Sequence, residues 1–177
     1  MKERKKELRS WIARQKAQYN DSTLKELSAD ILAELERTPA FDRAQTVLLY
    51  HSLKDEVYTH TFIEKWSQRK RIVLPVVVGN ELELRIYTDP KDLIIGAYGI
   101  AEPIGRQFTE YESIDLAVIP GVAFDVNGHR LGRGKGYYDR LLPQIHGTKI
   151  GICFPFQLID EVPSEAFDIP MNAVISL

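Results

Sequence analysis

Two apolar runs rich in β-branched residues, TVLLYHS at 46–52 and RIVLPVVV at 71–78, flank a polar segment, HTFIEKWSQRK, of crossover-helix length. Parallel strands need such a crossover, because a tight turn can join only antiparallel neighbours. Further apolar runs follow at 116–124 (LAVIPGVAF, broken at Pro120-Gly121), 149–154 (KIGICF) and 173–177 (AVISL). Strands that are apolar at nearly every position must be covered on both faces. The chain is therefore expected to form a single three-layer α/β/α domain around a mostly parallel sheet. ELRIY at 83–87 is a further candidate strand, and the stretch from Thr88 to Tyr111, rich in Gly, Pro and Asp, is expected to wander.

The helices are equally legible. Residues 3–18 are highly charged and lack Gly and Pro, as an exposed helix would. Leu24, Leu27, Ile31, Leu32 and Leu35 share one face of a 3.6-residue period, and Thr23 with Glu26 has capping-box spacing. In YYDRLLPQI, Tyr137, Leu141, Leu142 and Ile145 again have helical spacing.

A length of 177 residues with 44% apolar content supports one sizeable core. A net charge of -2 argues against a protein devoted to the phosphate backbone of nucleic acid. The single cysteine, Cys153, can form no internal disulfide. No apolar run reaches membrane-spanning length, and the basic N-terminus lacks the apolar core of a secretion signal. A cytoplasmic monomer without membrane or nucleic-acid partners is expected.

Residues 130–140, RLGRGKGYYDR, follow a predicted buried strand and precede a predicted helix. Ligands of open α/β sheets collect beyond the carboxyl ends of the strands, and helix starts offer unpaired N–H groups to anions. Gly132, Gly134 and Gly136 let backbone approach an anion, while Arg130, Arg133 and Lys135 add charge. The spacing matches neither the Walker A pattern nor the dinucleotide fingerprint. A solvated glycine-rich turn stays open as a reading. Asp139 could hold a magnesium ion beside such a loop or merely complement a helix dipole.

The segment PGVAFDVNGHRLGRGKGYYDRLLP, 120–143, resembles the signature of the 5-formyltetrahydrofolate cyclo-ligase family. Lys5 and Arg9, HSLKDEVYT at 51–59, LP at 74–75, YGIAEP at 98–103 and Asp168 follow in the order that family has them. The resemblance implies ATP- and Mg2+-dependent closure of 5-formyltetrahydrofolate to 5,10-methenyltetrahydrofolate through a phosphorylated formyl intermediate. It implies ATP binding by Lys5, Arg9, Arg130, Leu131, Gly132, Arg133, Gly134, Lys135, Gly136, Tyr137 and Tyr138, with Lys135 and Arg133 catalytic. Folate would lie against His51, Glu56 and residues 133–137, and magnesium against Asp139 and Asp168.

Glu56 is expected to read the pterin ring, whose adjacent N–H donors suit a carboxylate. Asp55 beside it is expected to point elsewhere. Tyr98, Tyr137 and Tyr138 are candidate aromatic walls. Relatives often carry an apolar residue where His51 stands, which leaves its role open. A noncatalytic nucleotide- or RNA-binding module and a different α/β enzyme acting on phosphorylated sugars or coenzyme A esters are the alternative readings.

Overall fold

A computed structural model describes residues 1–177, the side chain of Ala97 excepted. The charged N-terminal segment forms helix α1 (Lys2–Lys16), whose one fully buried side chain is Ile12. Helix α2 (Asp21–Glu36) buries Leu24, Ile31, Leu32 and Leu35, the stripe set by their spacing. It starts earlier than a Thr23–Glu26 capping box would allow. Asn20 is the N-cap, and its side-chain oxygen accepts the Thr23 N–H at 2.8 Å.

Short helices α3 (Pro39–Arg43) and α4 (His60–Ser67) bracket strand β1 (Thr46–Leu48), which ends sooner than the 46–52 run suggests. Strand β2 (Arg71–Val78) pairs parallel to β1 and turns at Gly79-Asn80 into antiparallel β3 (Glu81–Tyr87). The stretch expected to wander holds a small hairpin, β4 (Leu93–Ile95) with β5 (Ala101–Pro103), and a short strand β6 (Gln107–Phe108). Then come β7 (Leu116–Ile119), the minor pair β8 (Ala123–Phe124) and β9 (Arg130–Leu131), and helix α5 (Tyr137–Leu141). Strands β10 (Thr148–Ile152) and β11 (Ala173–Ile175) finish the chain. Helix α5 is shorter than the apolar spacing implies, because Pro143 leads into a 3-10 turn over Leu142–Gln144.

The main sheet runs β11-β10-β7-β1-β2-β3-β6. Its five strands from β11 to β2 are parallel, and β3 and β6 add an antiparallel edge. Alternation assigns neighbouring residues to opposite layers. Val47, Ile72, Leu74, Leu116, Val118 and Ile150 pack with α2, α3 and α4, while Leu48, Val73, Ala117 and Ile119 pack with Leu141, Leu142 and Ile145. The two clusters form the three-layer α/β arrangement, and each large buried side chain contributes about 2 kcal/mol.

Strand order reverses at β1, which has β2 on one side and β7 on the other. The carboxyl ends of β1 and β7 therefore diverge and leave a crevice, the usual position for a ligand in an open α/β sheet. Residues 51–56 follow β1, and Pro120-Gly121 follows β7.

Candidate active site

A cleft of about 950 Å³ opens at that crevice. Lys5 and Arg9 of α1, His51 and Glu56 after β1, the loop from Arg130 to Asp139, and Asp168 all line it. The sequence candidates, scattered over more than 160 positions, thus share one cavity. Tyr98 and Ile100 of the β4–β5 hairpin, Tyr50 and His129 line it too.

The glycine loop takes its course from backbone geometry that side chains resist. Gly134 and Gly136 have φ of 104° and 73°, in the left-handed region. At Gly136 a Cβ would also meet Arg140 Nη1 at 2.7 Å. Arg140 ties the loop to the β2–β3 turn, donating to the Lys135 carbonyl at 3.1 Å and from Nε to the Asn80 carbonyl at 3.0 Å. On the other flank Arg9 Nε donates to the Gly132 carbonyl at 2.8 Å. Since α5 has only five residues, its dipole offers little to an anion, and the groups the loop could present are its own amides and cations.

The loop's side chains divide into supports and presented groups. Leu131 is buried in a small cluster with Ile12, Ala123 and Val162, and its carbonyl accepts the Val122 N–H at 2.7 Å. Arg130 braces the loop from beneath. Its Nε donates to the Pro120 carbonyl at 2.6 Å, its guanidinium lies 5.0 Å from the Tyr138 ring centroid, and Nη1 is 3.8 Å from Asp139 Oδ1. Lys135 and Arg133 are exposed, and Lys135 Nζ makes no hydrogen bond among the described residues.

Opposite the loop, Glu56 is largely enclosed, with a side chain 15% exposed. Burial pushes its carboxyl pKa up, countered in part by the Leu53 N–H, which donates to Oε1 at 2.8 Å, and by Arg133. Arg133 Nη2 lies 3.6 Å from Glu56 Oε2 and donates to Asp55 Oδ1 at 2.7 Å. Asp55 therefore faces the same guanidinium as Glu56, contrary to the expectation that it points elsewhere. Alternation governs strands, but β1 has ended at Leu48 and residues 54–55 form a turn. An acid adjacent to Glu56 in a non-strand segment was the available signal.

His51 stacks on His60 with ring centroids 3.6 Å apart, and His60 Nε2 meets the Ser52 carbonyl at 2.8 Å. Burial, followed by the nearby His60, lowers the His51 pKa to about 4, so the ring is neutral at physiological pH. His129 was not singled out from the sequence. Its Nδ1 lies 3.0 Å from the carboxylate of fully buried Asp125, which also accepts the N–H groups of Asn127, His129 and Val162.

No group of three or more His, Cys, Asp or Glu side chains is arranged to hold a metal among the described residues. Asp139 is 70% exposed, and Asp168 accepts the Glu165 N–H at 2.7 Å through Oδ2. Among the described residues no helix is long and apolar enough to cross a membrane. Cys153 is buried, and burial pushes its thiol up to about 12, which makes it a poor nucleophile.

The profile of the 5-formyltetrahydrofolate cyclo-ligase family matches residues 1–176. The 5-formyltetrahydrofolate cyclo-ligase of Escherichia coli strain K12 is 35% identical over 148 residues, 78% of this chain and 81% of its own. The NMR structure of Aquifex aeolicus 5,10-methenyltetrahydrofolate synthetase superposes with a TM-score of 0.86 at 36% identity, over 97% of this chain and 89% of that one. The 5,10-methenyltetrahydrofolate synthetase of Mycoplasma pneumoniae gives a TM-score of 0.74 at 27% identity, over 97% of both chains.

Proposed function

The chain belongs to the 5-formyltetrahydrofolate cyclo-ligase family, and from that premise we propose that its cleft couples ATP cleavage to closure of 5-formyltetrahydrofolate. The products are 5,10-methenyltetrahydrofolate, ADP and phosphate. The observation that carries this reading is the position of Arg133. It belongs to the glycine loop suited to phosphate, yet lies 3.6 Å from Glu56, the enclosed acid suited to a pterin. Transfer of a phosphoryl group from nucleotide to folate requires those two subsites to touch.

The formyl oxygen is a poor leaving group as oxide or hydroxide. It attacks the γ-phosphorus, the bond from phosphorus to the ADP oxygen breaks, and the formyl carbon becomes an imino-phosphate. The neighbouring folate nitrogen then adds to that carbon and loses its proton, and the carbon–oxygen bond breaks to release phosphate. Such a transfer asks the protein for alignment and charge neutralisation. Backbone N–H groups of 132–136 and the Lys135 ammonium would meet the transferring group, with Arg133 beside it. Lys5 and Arg9, one helical turn apart on α1, would take the outer phosphates.

Two separate carboxylates on one cleft fit a magnesium ion that arrives with the nucleotide. Mg2+ draws most ligands from phosphate and water and only one or two from protein. Asp139 and Asp168 would hold it, and when bound it would neutralise charge on the phosphates. Glu56 would accept the pterin N–H donors, with Tyr98, Tyr137 and Tyr138 available as ring walls. We also read the chain as one domain acting as a monomer in the cytoplasm.

The test is a spectrophotometric assay for methenyl product with purified protein, 5-formyltetrahydrofolate and Mg2+, with and without ATP. ATP-dependent product is expected. Folded protein that binds ATP and makes no product overturns the reading in favour of another phosphoryl-handling α/β enzyme.

A further inference from the structure

Asp55 and Glu56 share one cation unequally. Arg133 Nη2 is 2.7 Å from Asp55 Oδ1, a charge-assisted hydrogen bond, and 3.6 Å from Glu56 Oε2, beyond one. The second Asp55 oxygen, Oδ2, lies 3.7 Å from Lys16 Nζ in the last turn of α1. Glu56 Oε1 accepts the Leu53 N–H, so Oε2 is the oxygen that makes no hydrogen bond among the described residues.

We propose that Asp55 is a positioning residue for the ligase reaction: by holding Arg133, it keeps that guanidinium off Glu56 and leaves the Glu56 carboxylate open to the N–H donors of the pteridine ring. This rests on the reading of Glu56 as the pterin partner. Glu56 is the more enclosed acid, its side chain 15% exposed against 47% for Asp55. Opposite charges attract more strongly where water is excluded, so without Asp55 the guanidinium moves onto Glu56. Less than 1 Å of side-chain movement closes the gap to a direct hydrogen bond. The pterin would then meet a carboxylate already neutralised and partly occupied, and the phosphate would lose Arg133.

Lys16 completes the device. Burial lowers the pKa of its ammonium, with Asp55 working in the opposite sense. Burial alone would raise the Asp55 pKa, but the Arg133 hydrogen bond and Lys16 hold it below the usual carboxylate range, so Asp55 stays ionised. With each oxygen facing a separate cation, Asp55 is itself poorly placed to read a pterin.

A double-mutant cycle tests the proposal. Calorimetry gives the Kd of 5-formyltetrahydrofolate for wild type, Asp55→Ala, Arg133→Ala and the double variant, with Asp55→Asn as a shape-preserving second probe. Loss of a hydrogen-bonded charge predicts about tenfold weaker binding for Asp55→Ala and Asp55→Asn. In the Arg133→Ala background the Asp55 substitution is expected to have no further effect. Unchanged binding in both Asp55 variants, or the same loss with and without Arg133, overturns the proposal. If Asp55→Ala does not fold, Asp55→Asn decides by the same cycle. Wild-type protein that fails to bind formylfolate overturns the reading of the cleft itself, which separates that failure from this one.

Discussion

Arg9 Nε donates to the Gly132 carbonyl oxygen at 2.8 Å, across 123 positions of sequence. The bond fixes the entrance of a loop whose next residues include two left-handed glycines, and it comes from the helix that also carries Lys5. Arg9→Ala is therefore expected to raise the KM for ATP about tenfold, the usual loss for a charged hydrogen bond, while KM for formylfolate changes less. Separate titrations of the two substrates distinguish this from a general loss of activity.

Lys135 lies on an exposed loop and touches no core cluster. Lys135→Ala is expected to lower kcat by at least roughly 100-fold, as removal of a group that stabilises transition-state charge does. The melting temperature should remain within a few degrees of wild type. Full activity at equal stability removes Lys135 from the mechanism.

Gly136→Ala combines a positive φ with a close approach to Arg140. A cost of about 1–2 kcal/mol follows from the backbone conformation alone. Chemical denaturation should show that loss together with weakened ATP binding, because the strained segment is the loop itself. A stable variant with intact ATP affinity would show that the loop tolerates another course.

Glu56 is pushed up by burial. A carboxyl that binds its proton more tightly when folded contributes stability below its ordinary value near 4.5 and loses it as pH rises through the higher native value. Glu56→Gln should consequently melt higher than wild type at pH 7, with the gap narrowing toward pH 4, while formylfolate binding weakens and ATP binding persists. Thermal melts at the two pH values and calorimetry with each ligand check both halves.

His51 behaves in the opposite sense, because its native pKa, about 4, lies below the ordinary 6.5. Its neutral form contributes stability above pH 6.5 that is lost progressively as pH falls toward 4. An NMR titration should place its midpoint near 4, and replacing it with leucine should flatten that part of the stability profile.

The sheet was readable because strands buried on two faces carry apolar residues at every step, as Leu116 to Ile119 do. The reversed direction of β3 was not, since Glu81–Tyr87 alternates no differently in either orientation and only the Gly79-Asn80 turn marks it. Asn20 outcompeted Thr23 as cap because one more turn of helix could form before the apolar stripe begins. The glycine-rich basic loop that lines the cleft was visible in local composition. Asp55 and Lys16 were not, because their meeting with Arg133 depends on how α1, the turn after β1 and the loop pack in three dimensions.

Helix α1 lines the cleft with Lys5 and Arg9 and meets Asp55 through Lys16, yet it fully buries one side chain. Elements with so little buried apolar surface open at low free energy, far below global unfolding. On the proposed assignment of Lys5 and Arg9 to the ATP phosphates, the fraction of molecules with α1 docked scales the apparent affinity for nucleotide, and hydrogen exchange along residues 2–16 becomes a gauge of catalytic readiness that global stability does not report.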